Sequence, residues 1–193
     1  MAPIAISLLI DDSGSMSSSI PGQFVTKEDA AYDASVVLIE AFRCLPQVSL
    51  EVLKHSSCGD LNEECLVIEC FEDTNQEAFR IAESLGQCNY DHVAIETSAN
   101  RLLQRQGPAT RRILLVLSDG APSGLDYDGP PAVQATREVV DAFRHDHHLQ
   151  IIGVAIDDAA AEEIYGMDWT IKFHDMSLLV QSLSNLFIRI LGE

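Results

Sequence analysis

Residues 5–16 read Ala-Ile-Ser-Leu-Leu-Ile-Asp-Asp-Ser-Gly-Ser-Met, an apolar run that stops abruptly at two acids and a small polar turn. A strand with one wet face alternates apolar and polar side chains, whereas a strand covered on both faces is apolar throughout. Ala5 to Ile10 therefore reads as a central parallel strand. The pattern returns at Ile113 to Leu117, closed by Ser118, Asp119 and Gly120, and at Ile151 to Ile156, closed by Asp157 and Asp158. Three buried strands thus end in acids.

Helical spacing fills the intervals. Thr26 is placed to cap a helix with apolar Ala30, Ala34, Val37, Leu38 and Ala41 and with Glu28 and Asp29 in its first turn, running to about Cys44. Asn75 to Ser84, His92 to Gln104, Val133 to His145 and Leu178 to Leu191 read as further helices, the second of them stopped by Gly107 and Pro108. Val48 to Lys54 and Cys65 to Phe71 read as strands that pair as an antiparallel edge across the polar stretch Ser56 to Glu64, and Trp169 to Phe173 as a short last strand. The alternation predicts an α/β fold: a doubly wound, mostly parallel six-stranded sheet with one antiparallel edge strand and helices on both faces. No repeat or linker divides the chain, so a single domain over 1–193 is expected. In such sheets ligands sit beyond the carboxyl ends of the strands, where the strand order reverses.

Composition narrows the function. Twelve basic against 30 acidic residues give a formal charge of −18, which disfavours nucleic acid and anionic membranes as partners. Met1 to Ile10 has no basic export segment and is far shorter than a membrane span, and five irregularly spaced cysteines suit a reducing compartment, so a cytoplasmic location is expected.

The turn after the first strand, Asp11-Asp12-Ser13-Gly14-Ser15, is a D-x-S-x-S pattern. Alternate residues of an extended loop face one side, so the Asp11, Ser13 and Ser15 oxygens converge, and Gly14 lets the backbone turn closely. One carboxylate with two neutral hydroxyls suits Mg²⁺, which takes about six oxygens and keeps several waters. Asp12 points the other way and reads as structural or solvated.

At these residues the chain resembles the von Willebrand factor A family, whose metal-ion-dependent adhesion site is a D-x-S-x-S loop completed by an Asp after the fourth strand. The resemblance places Asp119 in the metal set with Asp11, Ser13 and Ser15. It implies a Rossmann-like fold and a divalent cation, Mg²⁺ or another such as Mn²⁺ or Ca²⁺. The family's Thr ligand before the third helix has no counterpart here. The equivalent stretch, Cys88-Asn89-Tyr90-Asp91-His92, offers Asp91, with Asn89 as the alternative. Thr97 falls inside the expected helix. This Asn-x-Asp variant, with Ser118-Asp119-Gly120-Ala121-Pro122 and Gly153-Val154-Ala155-Ile156-Asp157, resembles the A domains of the cobaltochelatase small subunit and of nitric oxide reductase activation proteins. That likeness implies a MoxR-type AAA+ ATPase as partner.

The expected function is a non-catalytic binding module whose cation is completed by an Asp or Glu carboxylate of a protein partner. A metal-dependent hydrolase in the same acidic crevice is the first alternative, but no Ser-His-Asp order, phosphate-cradling loop or Lys beside Asp11 favours it. A receiver-type phosphoacceptor domain is the second, and it leaves Ser13 and Ser15 unexplained. Asp157 and Asp158 read as helix caps, and His145, His147 and His148 as cations at a helix C-terminus. His55, Cys58, Cys65 and Cys70 lack zinc-knuckle spacing and read as buried groups.

Overall fold

The structure, a computed structural model, describes residues 3–22, 24–43, 45–57, 65–72, 88–105, 111–156 and 160–173, with single positions at 181, 182, 185 and 188. The strands are β1 (Ile4–Asp11), β2 (Val48–Ser57), β3 (Cys65–Glu72), β4 (Arg111–Ser118), β5 (Gln150–Ile156) and β6 (Thr170–Phe173). Helices α1 (Lys27–Arg43), α2 (Asp91–Gln104), α3 (Gly129–His147) and α4 (Ala160–Tyr165) connect or flank them. The order across the sheet is β3-β2-β1-β4-β5-β6. β2, β1, β4, β5 and β6 run parallel, and β3 pairs antiparallel with β2.

Period-two alternation divides the core between the two faces of this α/β sheet. Ile4, Ile6, Leu8 and Ile10 of β1 join Ile113, Leu115 and Leu117 of β4 beneath α1, where Ala30, Ala34, Leu38 and Phe42 cover them. Ala5 and Leu9, with Leu114 and Val116, face α2, α3 and α4 through Ala94, Ile95, Val140, Phe143 and Ile164. All eight β1 residues are buried, which is why that stretch carries no polar alternation.

Local chemistry fixes the element boundaries. Thr26 and Asp29 form a reciprocal cap: the Thr26 amide donates to Asp29 Oδ2 (3.2 Å) and the Asp29 amide to Thr26 Oγ1 (3.1 Å), so α1 starts at Lys27. α3 begins at Gly129, four residues before the apolar periodicity that marks it in sequence, because its first turn takes Pro130 and Pro131, where the missing N–H costs nothing. Trp169 closes a 3₁₀ turn, and β6 starts one residue later at Thr170. β2 reaches Ser57 rather than ending at Lys54, and its last three residues lie opposite Cys65 to Val67. The expected Asn75–Ser84 helix, Asp157, Asp158 and most of the Leu178–Leu191 helix lie outside the described residues. Among the described residues no helix is long and apolar enough to cross a membrane.

The strand order reverses between β1 and β4. β1 leads through α1 to β2 on one side, and β4 leads through α3 to β5 on the other, so the loops leaving β1 and β4 part at their carboxyl ends. That crevice is the place an α/β sheet offers a ligand.

Candidate metal centre

The loop after β1 is held at both ends. The Asp12 amide donates to the His55 carbonyl (2.9 Å), extending the β1–β2 pairing, and Met16 drops its side chain into the core at 1% exposure. Between them Gly14–Ser17 forms a 3₁₀ turn, closed by the Met16 amide on the Ser13 carbonyl at 3.0 Å. The turn brings Ser13 Oγ to 3.0 Å from Ser15 Oγ, and Ser15 Oγ donates to Asp119 Oδ1 at 2.7 Å. Neighbouring ligands on an octahedral cation with bonds of about 2.0–2.1 Å lie about 2.9 Å apart. Ser13 with Ser15, and Ser15 with Asp119, therefore have the chemistry and spacing of neighbouring ligands.

Asp11 is tied to the same loop and to the loops beside it. Its Oδ1 accepts the Ser13 amide (2.8 Å), and its Oδ2 accepts Ser118 Oγ (3.0 Å) and the Asn89 amide nitrogen (3.2 Å). Burial raises the Asp11 pKa above its ordinary value, against the nearby His55 and the Ser13 hydrogen bonds, which lower it. A carboxylate desolvated to this degree is stabilised in its charged form by a cation.

Asn89 and Asp91 are separated by the fold. Asn89 forms a two-way bridge with Ser123 through backbone bonds of 2.8 and 3.2 Å, and its side-chain oxygen accepts the Ser123 amide at 2.8 Å. Its amide nitrogen is thereby aimed at Asp11. Asp91 is the first residue of α2, where a carboxylate meets the positive end of the helix dipole, and its Oδ1 lies 3.7 Å from His55 Nε2. His55 is the register partner of Asp11, and burial lowers its pKa below the ordinary histidine value, against the Asp11 and Asp12 carboxylates, which raise it. Thr97 is exposed on α2, away from the site.

Two lysines enter that sequence reasoning did not foresee. Lys27 Nζ lies 2.5 Å from Asp119 Oδ2, and Lys54 Nζ lies 2.9 Å from Asp12 Oδ2. Asp12 is thus structural rather than solvated, a buried half of an ion pair with only 5% of its side chain exposed. The one available signal was Lys54 itself, a charge at the end of the expected strand Val48 to Lys54. Lys27 has none, because it and Asp119 are brought together from positions 92 residues apart. Ser118 was legible only as part of its motif; its hydroxyl proves to hold Asp11.

The histidines at the end of α3 lie where expected: His145 and His147 stand in its last turn and His148 caps it in the left-handed conformation (φ 53°). Among the described residues no group of three or more His, Cys, Asp or Glu side chains is gathered to hold a metal. Ser13 and Ser15 are needed to build this site.

The mostly parallel α/β sheet, with its switch-point crevice, has the architecture of a von Willebrand factor A-like fold. No family model matches the chain, and no curated protein matches its sequence. Solved structures do. The PilB minor pilin from Streptococcus sanguinis superposes with a TM-score of 0.72 at 12% identity, over 98% of this chain and 61% of that one. Proximal thread matrix protein 1 from the mussel byssus, in a structure with a zinc-occupied MIDAS motif, gives 0.56 at 17% identity, over 95% and 46%. BatB from Bacteroides thetaiotaomicron gives 0.58 at 12% identity, over 94% and 98%. The chain spans under two thirds of the pilin and under half of the byssus protein. At these identities the likeness establishes the fold.

Proposed function

We propose that this chain is a non-catalytic protein-binding module that holds a divalent cation among Ser13, Ser15 and Asp119, with Asp11 beneath. The observation that carries the reading is the spacing of the three oxygens, 3.0 and 2.7 Å, at the sheet's switch point. The cation, when bound, supplies a Lewis-acid position open to a carboxylate oxygen. Two hydroxyls and few charges hold it, which leaves it short of anionic ligands, so an Asp or Glu of a partner completes its shell. The byssus protein's zinc-occupied site supports the cation on this fold, and Mg²⁺ is the proposed ion here.

The partner is proposed from the motif resemblance: a MoxR-type AAA+ ATPase, as in assemblies of the cobaltochelatase kind, acting in the cytoplasm. A pull-down from the native source with and without EDTA, read by mass spectrometry, identifies it.

The test of the site is Asp119→Ala. The mutant is expected to fold and to lose Mg²⁺ binding in calorimetric titration. A folded mutant with unchanged affinity removes Asp119 from the site. The purified protein is also expected to show no phosphatase, protease or nucleotidase turnover. Turnover abolished by Asp11→Ala overturns the reading in favour of a hydrolase.

A further inference from the structure

Lys27 stands in an electrostatically adverse place. The reciprocal Thr26–Asp29 cap makes it the first residue of α1, where the helix dipole disfavours a cation. The loop before it is fixed as a hairpin, with the Lys27 amide on the Ser18 carbonyl (3.0 Å) and the Ile20 amide on the Val25 carbonyl (3.0 Å). The side chain is therefore delivered from a rigid base, and its ammonium ends on Asp119 Oδ2, the carboxylate whose other oxygen receives Ser15. Asp119 is almost wholly buried, with a side chain 1% exposed, while the Lys27 side chain is 17% exposed and keeps a path to water.

From this geometry we infer that Lys27 is the resident cation of the site: its ammonium holds Asp119 while no metal is bound and competes with the divalent ion for it. Asp11, Asp119 and Lys27 together carry one net negative charge, and a divalent ion seated among them makes the sum positive. Two cations sharing one buried carboxylate repel, and the helix dipole adds to the push on the lysine. Metal entry therefore loosens Lys27 toward solvent. The lysine serves two ends: it keeps the buried carboxylate paired and positioned in the empty site, and it raises the cation concentration at which the module becomes competent to bind. The other buried acid of the loop, Asp12, has its own lysine in Lys54 and takes no part.

The inference rests on the metal-site reading above, and the experiment separates the two. Mg²⁺ alone is titrated calorimetrically into the wild-type protein, Lys27→Met and Lys27→Arg, each first shown to be folded by circular dichroism. Lys27→Met is expected to bind Mg²⁺ at least about fivefold more tightly than wild type, the factor given by an ion pair at the upper end of the surface range. Lys27→Arg, which keeps the charge, is expected to stay near wild type. Equal or weaker binding by Lys27→Met, with the wild type binding normally, overturns the competition. No Mg²⁺ binding by any of the three overturns the metal site, and the inference with it. A second measurement uses the wild-type protein only. Acylation of the chain's three lysines by an amine reagent, read by peptide mass spectrometry, is expected to increase at Lys27 when Mg²⁺ replaces EDTA, with Lys54 as the internal reference. Unchanged Lys27 labelling at saturating Mg²⁺ overturns its release.

Discussion

Asn89 and Asp91 stand two residues apart, and the fold gives them different neighbours. Asn89 donates to Asp11 and accepts from Ser123, so it links the carboxylate under the proposed cation to the loop after β4. Asp91 lies against buried His55 at the start of α2. Asn89→Ala is therefore expected to weaken Mg²⁺ binding about fivefold to tenfold and to cost about 1–3 kcal/mol of stability by leaving buried polar groups unpaired. Asp91→Asn is expected to change Mg²⁺ affinity by less than about threefold, since the structure sets this carboxylate 3.7 Å from His55 at the start of α2. Titrations at fixed ionic strength distinguish them, and a loss above tenfold in Asp91→Asn identifies it as a ligand. The D-x-S-x-S spacing made Asp11, Ser13 and Ser15 legible because their geometry is local. The Ser123 bridge that orients Asn89 joins residues 34 apart and leaves no pattern in the sequence.

The element that supports the site from behind is the contact of α4 with β5. The buried ring of Tyr165 lies on Gly153, where a Cβ would come within 2.2 Å of the ring, so the glycine is required by close approach rather than by its dihedral angles. Gly153→Ala is expected to destabilise the protein by about 1–3 kcal/mol in urea denaturation, the usual cost of overpacking a well-filled core. The Tyr165 hydroxyl is buried and meets no hydrogen-bond partner among the described residues, and burial raises its pKa well above 10.0. Tyr165→Phe is expected to leave stability unchanged or to raise it by about 1 kcal/mol. The folded pKa exceeds the unfolded one, so this phenol's contribution is complete below pH 10 and is lost as the pH rises further, because only the unfolded chain releases the proton. Phenolate absorbance is expected to show Tyr165 ionising only with unfolding, and the phenylalanine variant to lose stability less steeply in alkali. The strands were legible because β1, β4 and β5 are buried on both faces. The start of α3 was not, since its first turn, with Pro130 and Pro131, lies ahead of the apolar periodicity that begins at Val133.

At the scale of the whole molecule, a charge of −18 surrounds a site proposed to receive a carboxylate. Mg²⁺ binding to the folded state alone stabilises it by about 2.7 kcal/mol at a hundred times its Kd. The Tm is therefore expected to rise by about 5–10 °C and to fall back with EDTA. Partner association is a different matter. The cation attracts one carboxylate at contact distance, but the field that a partner meets further out is that of the whole acidic chain and repels any net negative surface. A partner that docks quickly must therefore carry its coordinating acid on a basic face. The expected signature is an association rate that falls as salt rises from about 0.02 to 0.2 M, where the Debye length shortens from roughly 20 Å to below 10 Å. Stopped-flow mixing with the captured partner at saturating Mg²⁺ measures it. A rate that rises with salt means an acidic docking face, in which case local coordination must overcome long-range repulsion without electrostatic steering.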